Sequence, residues 1–209
     1  DRVEMPGTAA IQVTAGALIV EDCVIRDVFR QAIGVGNLSA GDELQRPRAT
    51  IRRCRILRPG RAGIAVIGEA DVQVESCEII GAVENGIELT AKPATLTATD
   101  LTIRDCGVHG FVAREGTKIT ITRGRLTGNF RSGGAGDPLS TITLKDVEIL
   151  NNVIGARLAR KPRRVVEDAL ADMARRHFDG EVSADAAAVR HVQFVPAAET
   201  LRAKSLELV

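Results

Sequence analysis

Three cysteines occupy the same place in a short recurring phrase, and they are the first residues here that could do chemistry. The phrase reads Val20-Glu-Asp-Cys23-Val-Ile25, then Ile51-Arg-Arg-Cys54-Arg-Ile56, then Val74-Glu-Ser-Cys77-Glu-Ile79. Thiols at a fixed spacing could ligate a metal, exchange disulfides, or fill a core as small apolar groups. No His shares their row, and parallel side chains in register make poor bridge geometry, so a buried thiol ladder without a metal is expected. Cys106 stands apart, five residues after its own anchor position and near a turn. Unpaired thiols favour a reducing compartment, hence the cytoplasm, whereas an enzyme acting on glycans would be secreted.

A second set of candidates is made of acids and bases. His109, in the run Asp105-Cys-Gly-Val-His-Gly110, could serve as a general base, with Asp105 as its nearest carboxylate and Arg104 beside it. The alternative is a turn residue standing where Asn85 stands in the corner Glu84-Asn-Gly86. Glu75 and Glu78 could form a carboxylate-rich metal or catalytic site, or they could be solvated partners of neighbouring arginines. Arg58, Arg61, Arg104 and Arg114 could line a groove for an anionic ligand. His177 and His191 have no partner pattern. No cofactor and no metal are expected.

The elements that must position these residues follow from the phrase itself. It returns three more times in degenerate form, as Ala98 to Ile103, Ile121 to Leu126 and Leu144 to Ile149, with anchors Leu101, Gly124 and Val147. The anchors step by 31, 23, 24, 23 and 23 residues, which is the signature of a stacked repeat. Leu18, Ala49, Val72, Leu96, Ile119 and Ile142, with the residues two further on, form a period-2 apolar set. That alternation predicts a strand buried on one face, with Thr50, Gln73, Thr97, Thr120 and Thr143 outside.

A second strand is expected at Ala32–Val35, Gly63–Val66, Gly86–Leu89, Gly110–Ala113 and Gly155–Leu158. The glycine-rich run 132–138 reads as a loop in place of a further copy. The eight-residue surplus of the first interval is expected as a loop over 37–47. Asn37, Asn85, Asn129, Asn151 and Asn152 are irregularly spaced and are read as isolated turn residues. Adjacent coils about 4.8 Å apart bring equivalent outward residues into contact. Glu21, Arg52 and Glu75 alternate in sign at one position, as do Arg55 and Glu78, and Arg125 and Glu148, at another. Opposite-charge pairs between coils are therefore expected.

This arrangement of "xxI-xxC-xI…xxGIxV" resembles the repeats of right-handed parallel β-helix proteins, the pectate-lyase-like group, over roughly residues 8 to 158. The resemblance implies an all-β fold, a right-handed parallel β-helix of about six to seven coils. It does not imply one activity, because the group holds lyases, hydrolases, epimerases, adhesins and non-catalytic domains. After Leu158 the period stops. A basic connector is followed by an amphipathic helix from about Val165 to Phe178, with Val166, Ala169, Leu170 and Met173 on one face. A short apolar piece, Val192–Val195, and a second helix from Ala197 onwards complete an expected helical cap. The division is therefore 1–160 for the repeats and 161–209 for the cap. The tail 198–209 resembles β-helix domains that precede an AAA-type ATPase module.

Composition narrows the function. A formal net charge of +1 supplies no field to gather nucleic acid or an anionic membrane, so neither is an expected partner. No run approaches 18 apolar residues, so no transmembrane helix is predicted. There is no Trp, no Tyr and only five Phe, which removes the usual stacking platforms for sugar rings. The Asp-Pro-His-Glu motif of alginate epimerases is missing, as are the closely spaced Asp pairs and Arg-x-Lys of polygalacturonase-like enzymes. The expectation is a non-catalytic binding or scaffold domain of a larger protein, starting in mid-repeat, that recognises a protein partner or a polysaccharide. The alternative is a lyase or epimerase on acidic polysaccharide. Self-association through an open N-terminal end is a further expectation.

Overall fold

The computed structural model describes residues 9–36, 46–91, 93–157, 201–203 and 206–208. The chain winds through three short strands per coil. The first coil holds β1 (Ile11–Val13), β2 (Ala17–Glu21) and β3 (Val24–Arg26), and the second β4 (Ile33–Gly36), β5 (Arg48–Arg52) and β6 (Arg55–Leu57). The third holds β7 (Ile64–Ile67), β8 (Asp71–Glu75) and β9 (Glu78–Ile80). From there two of the three sides run on as one strand. The pairs are β10 (Ile87–Thr90) with β11 (Thr95–Arg104), β12 (His109–Ala113) with β13 (Lys118–Thr127), and β14 (Ser132–Gly136) with β15 (Thr141–Leu150). The last strand of the stack is β16 (Ile154–Arg157).

Stacking produces two parallel sheets. One runs β1-β4-β7-β10-β12-β14-β16 and the other begins at β2 and passes through β5, β8, β11, β13 and β15, with β3, β6 and β9 stacked beside it. The register joins equivalent positions of successive copies, for example Ile33 with Ile64, Ile64 with Ile87 and Ile87 with Phe111. A parallel solenoid of about six turns results, as the spacing predicts.

Period-2 patterning explains which face is buried. Val20, Ile51, Val74, Ala98, Ile121 and Leu144 form one internal column, and Ile56, Ile79, Ile103, Leu126 and Ile149 another, all nearly inaccessible to solvent. The anchor column holds Cys54, Cys77, Leu101 and Val147, also buried, while Cys23 is half-buried because it lies in the first coil. Any small or aliphatic side chain satisfies this column, so the thiols there are packing atoms.

Corners are made by backbone, not by loops. One position before the anchor, Asp22, Arg53, Ser76, Asp100, Arg123 and Asp146 all have φ between 49° and 54°. Four positions after it, Asp27, Arg58, Gly81, Asp105, Gly128 and Asn151 have φ between 49° and 66°. Left-handed residues at both places turn the strand twice per coil, and Asp, Asn and Gly tolerate that conformation best.

Three expectations are corrected. The glycine-rich run is not a loop but β14, hydrogen-bonded to β12 and β16. Gly134 makes room for the ring of Phe111, since a Cβ there would stand 2.2 Å from Phe111 Cε1. Asn129 and Asn152 are not isolated, because they stack inside the turn of consecutive coils. The helix expected from Ala197 onwards is replaced, where residues are described, by β17 (Leu201–Ala203) and β18 (Leu206–Leu208). Both run antiparallel to β15. The alternation of Leu206-Glu-Leu208 fits a strand, and both strands cover the edge that would otherwise leave backbone groups of β15 unpaired. The helix at Val165–Phe178, the connector before it, the 160/161 boundary, the piece 192–195, His177, His191 and residues 37–45 of the first loop lie outside the described residues.

Candidate functional site

Each candidate residue is placed by its position relative to the anchor, and most prove to be rungs of charged ladders. Two before the anchor, Arg52 sits between Glu21 and Glu75, with Nη1–Oε1 3.3 Å and Nε–Oε2 3.1 Å respectively. One after the anchor, Arg55 Nε donates to Glu78 Oε2 at 3.0 Å. Arg104 approaches the same carboxylate from the next coil, donating through Nε to Glu78 Oε1 at 3.3 Å, and through Nη1 to Asp105 Oδ2 at 2.8 Å. Thus Arg55, Glu78, Arg104 and Asp105 form one chain of alternating charge across three coils.

The other arginines are engaged in the same manner. Arg58 donates through Nε and Nη2 to the two carboxylate oxygens of Asp27, at 2.8 and 3.1 Å. Arg61 donates to both oxygens of Glu84 at 3.2 Å. Arg114 Nη1 lies 3.8 Å from Glu88 Oε1. Sequence reasoning missed a further row at the left-handed corner, where Arg53 pairs bidentately with Asp22 and Arg123 with Asp100, at 2.7 to 2.9 Å. The signal was available as Asp or Arg one residue before the anchor, at intervals of 31 and 23.

His109 is placed differently. It stands on β12, opposite Ser132 of β14 and one coil from Asn85, as its substitution for Asn85 in the corner suggested. It is 7 % exposed, and its Nδ1 lies 2.6 Å from Ser132 Oγ. Ser132 Oγ also lies 3.1 Å from the carbonyl of Gly134, which can only accept, so a serine proton directed there requires His109 Nδ1 to be the donor. Asp105, the carboxylate expected to assist His109, instead faces outward to Arg104. Asn85 Oδ1 accepts from the backbone N–H of His109 at 3.3 Å, so the three buried polar side chains form an internal column.

Electrostatics complete the picture. The guanidinium of Arg53 holds Asp22 below the usual carboxylate range, and Arg58 and Arg123 do the same for Asp27 and Asp100. Such carboxylates are poor proton acceptors near neutrality. Burial pushes the thiols of Cys54 and Cys77 up, and that of Cys106 to about 12. A thiol so raised is not a nucleophile at ordinary pH. Among the described residues no group of three or more His, Cys, Asp and Glu could hold a metal ion.

Residues 41–168, more than half of the chain, match the family model described as the right handed beta helix region. No curated protein and no solved structure matches the chain. The chain belongs to the right-handed β-helix family.

Proposed function

We propose that this right-handed β-helix chain is a non-catalytic scaffold that presents its outward rows to a protein partner. One observation carries the reading. Glu75, Glu78, Arg58, Arg61, Arg104, Arg114 and Asp105 are each engaged by an opposite charge of the stack itself. A uronate lyase or epimerase needs a base poised to take the proton beside the carboxylate and cations to neutralise that carboxylate. Here the bases and the cations neutralise one another, and His109 faces a serine inside the coil. Paired rungs favour stacking instead, each adding a modest increment in solvent.

The competing reading, an enzyme on acidic polysaccharide, draws on the convergence of Arg55 and Arg104 at Glu78. Incubating the full chain with alginate and with pectate, while following unsaturated product by ultraviolet absorbance and the uronate composition of the polymer, separates the two. The scaffold reading expects no change in either polymer, and a lowered unfolding temperature for Arg104→Ala. Product formed by the native chain and lost in Arg104→Ala or His109→Ala sinks it.

A further inference from the structure

One outward column carries no charge and belongs to none of the ladders. Six positions after the anchor, the six coils present Phe29, Gly60, Val83, Gly107, Phe130 and Val153. Backbone bonds set the register: Gly60 N to Val28 O, Val83 N to Pro59 O, Gly107 N to Ala82 O and Phe130 N to Cys106 O, at 2.7 to 3.0 Å. The stacked Asn129 and Asn152 bring Val153 beside Phe130. Phe29 is 87 % exposed, Val83 61 %, Phe130 69 % and Val153 60 %. The glycines have an internal cause, because a Cβ would stand 2.1 Å from Phe29 O at Gly60 and 2.2 Å from Val83 O at Gly107. Among the described residues no such cause is found for the large apolar side chains on the other coils, and an exposed apolar row marks a contact surface.

We propose that this ridge is the interface of a symmetric, antiparallel dimer, its occupant a second copy of the chain. Coils are about 4.8 Å apart, so over the first five coils knobs and notches alternate with a period of about 9.6 Å, and Val153 adds a further knob on the sixth. A two-fold axis passing between the third and fourth coils sets Phe130 against the second copy's Gly60, Val83 against its Gly107, and Phe29 against its Val153. Symmetry repeats each contact. Sliding the copies by one coil instead sets Phe29 on Phe130 and Gly60 on Gly107, and sliding by two restores knob-in-notch contact but leaves Phe130 and Val153 beyond the overlap, so the register across all six coils buries the most apolar surface.

Charges beside the ridge obey the same operation. On one flank Arg58 faces the second copy's Gly128, with that copy's Asp105 one coil away. On the other flank the Arg61–Glu84 pair, 3.2 Å apart, receives the second copy's Arg131, opposite Arg61 and one coil from Glu84. Glu84 and Asp105 lie diagonal to the second copy's Arg131 and Arg58, while Arg131 stands level with Arg61 as a like-charge pair, so the apolar knobs and notches, not the flanking charges, carry the contact. The ridge is only about 24 Å long at this coil spacing, so the dimer is of the small, reversible class.

Sedimentation of the full chain across roughly 1 to 200 µM is the test, a range matched to a micromolar dissociation constant. The expected result is a reversible dimer, weakened about tenfold or more by Phe130→Asp and by Phe29→Asp, since a charge is then desolvated in the seam. Ile19→Asp, at a residue 69 % exposed on another face, is expected to leave it unchanged. Circular dichroism of each variant establishes that it is folded. With Cys23→Ser removing the half-buried native thiol, Val83→Cys is expected to give a covalent dimer with a short bis-maleimide. A monomer throughout, or a dimer indifferent to both Phe substitutions, overturns the proposal. So does a dimer lost in Ile19→Asp alone, which would place the contact on the β2 face of the first described coil. The proposal is independent of the scaffold reading: a monomer leaves that reading intact, and a uronate product leaves the dimer intact.

Discussion

At the scale of single residues, environment overrides identity. Cys23, Cys54 and Cys77 occupy one column, yet only Cys23 is half-buried, because no described coil stacks on its outer side. Cys54 Sγ lies 3.1 Å from the Arg52 carbonyl, and Cys77 Sγ 3.2 Å from that of Glu75, so these thiols close local backbone contacts. Reaction of the folded chain with an aromatic disulfide reagent is expected to modify Cys23 rapidly. Cys54, Cys77 and Cys106 are expected to react at least about a hundredfold more slowly until denaturant is added, as buried thiols with raised pKa do. Rapid modification of all four in the folded chain would contradict the packing described. The cysteines were the most conspicuous letters of the sequence, and their inertness was legible once Leu101 and Val147 were seen in the same column.

At the scale of the element, the turn that follows β13 and β15 shows how a coil is locked to its neighbour. Asn152 Oδ1 accepts from both the backbone N–H and the Nδ2 of Asn129, and Asn152 Nδ2 donates to the Leu126 carbonyl, all at 2.9 Å. Asn129 Oδ1 in turn accepts from Cys106 N at 3.1 Å. Both amides are almost wholly buried. Replacing Asn152 by Ala leaves two donors and one acceptor without partners, and a buried orphan costs about 1–3 kcal/mol. Equilibrium denaturation is therefore expected to register a loss of about 3 kcal/mol for Asn152→Ala, an additive figure tempered by relaxation of the turn. A loss below about 0.5 kcal/mol would mean that water replaces the amide. Here the sequence misleads by excess: Asn37, Asn85 and Asn151 obscure the one 23-residue interval, Asn129 to Asn152, that stacks in this column.

At the scale of the whole molecule, the corner pairs make stability a collective function of pH. Asp22, Asp27 and Asp100 have folded pKa values below their ordinary 3.8, each held down by an arginine of the next coil. The sign follows directly: the folded state favours the charged carboxylate, so its contribution is present above the ordinary value and disappears as pH falls through the depressed folded value. Thermal unfolding is thus expected to be nearly level above about pH 5 and to fall steeply below about pH 4. In a triple variant with Asp22→Asn, Asp27→Asn and Asp100→Asn the acid slope should flatten. An unaltered slope would assign acid sensitivity to other carboxylates. Closure of the stack is also a property of the whole. One end of the larger sheet, at β15, is paired by β17 and β18.

By itself the sequence determined the coil. The 23-residue interval, the alternating Val and Ile columns and the paired signs at equivalent positions specify which residues stack, because a parallel register needs only equal spacing to be satisfied. Tertiary structure decided what each outward residue meets. Glu78 became the centre of an arginine cluster because the left-handed corners bring Arg55 and Arg104 to it from two coils. His109 meets Ser132 on the neighbouring strand, and β14 forms from a glycine-rich run by pairing with β12 and β16, with Gly134 leaving space for Phe111. Such contacts arise between residues about one coil apart and depend on where the backbone turns, which no spacing of letters records.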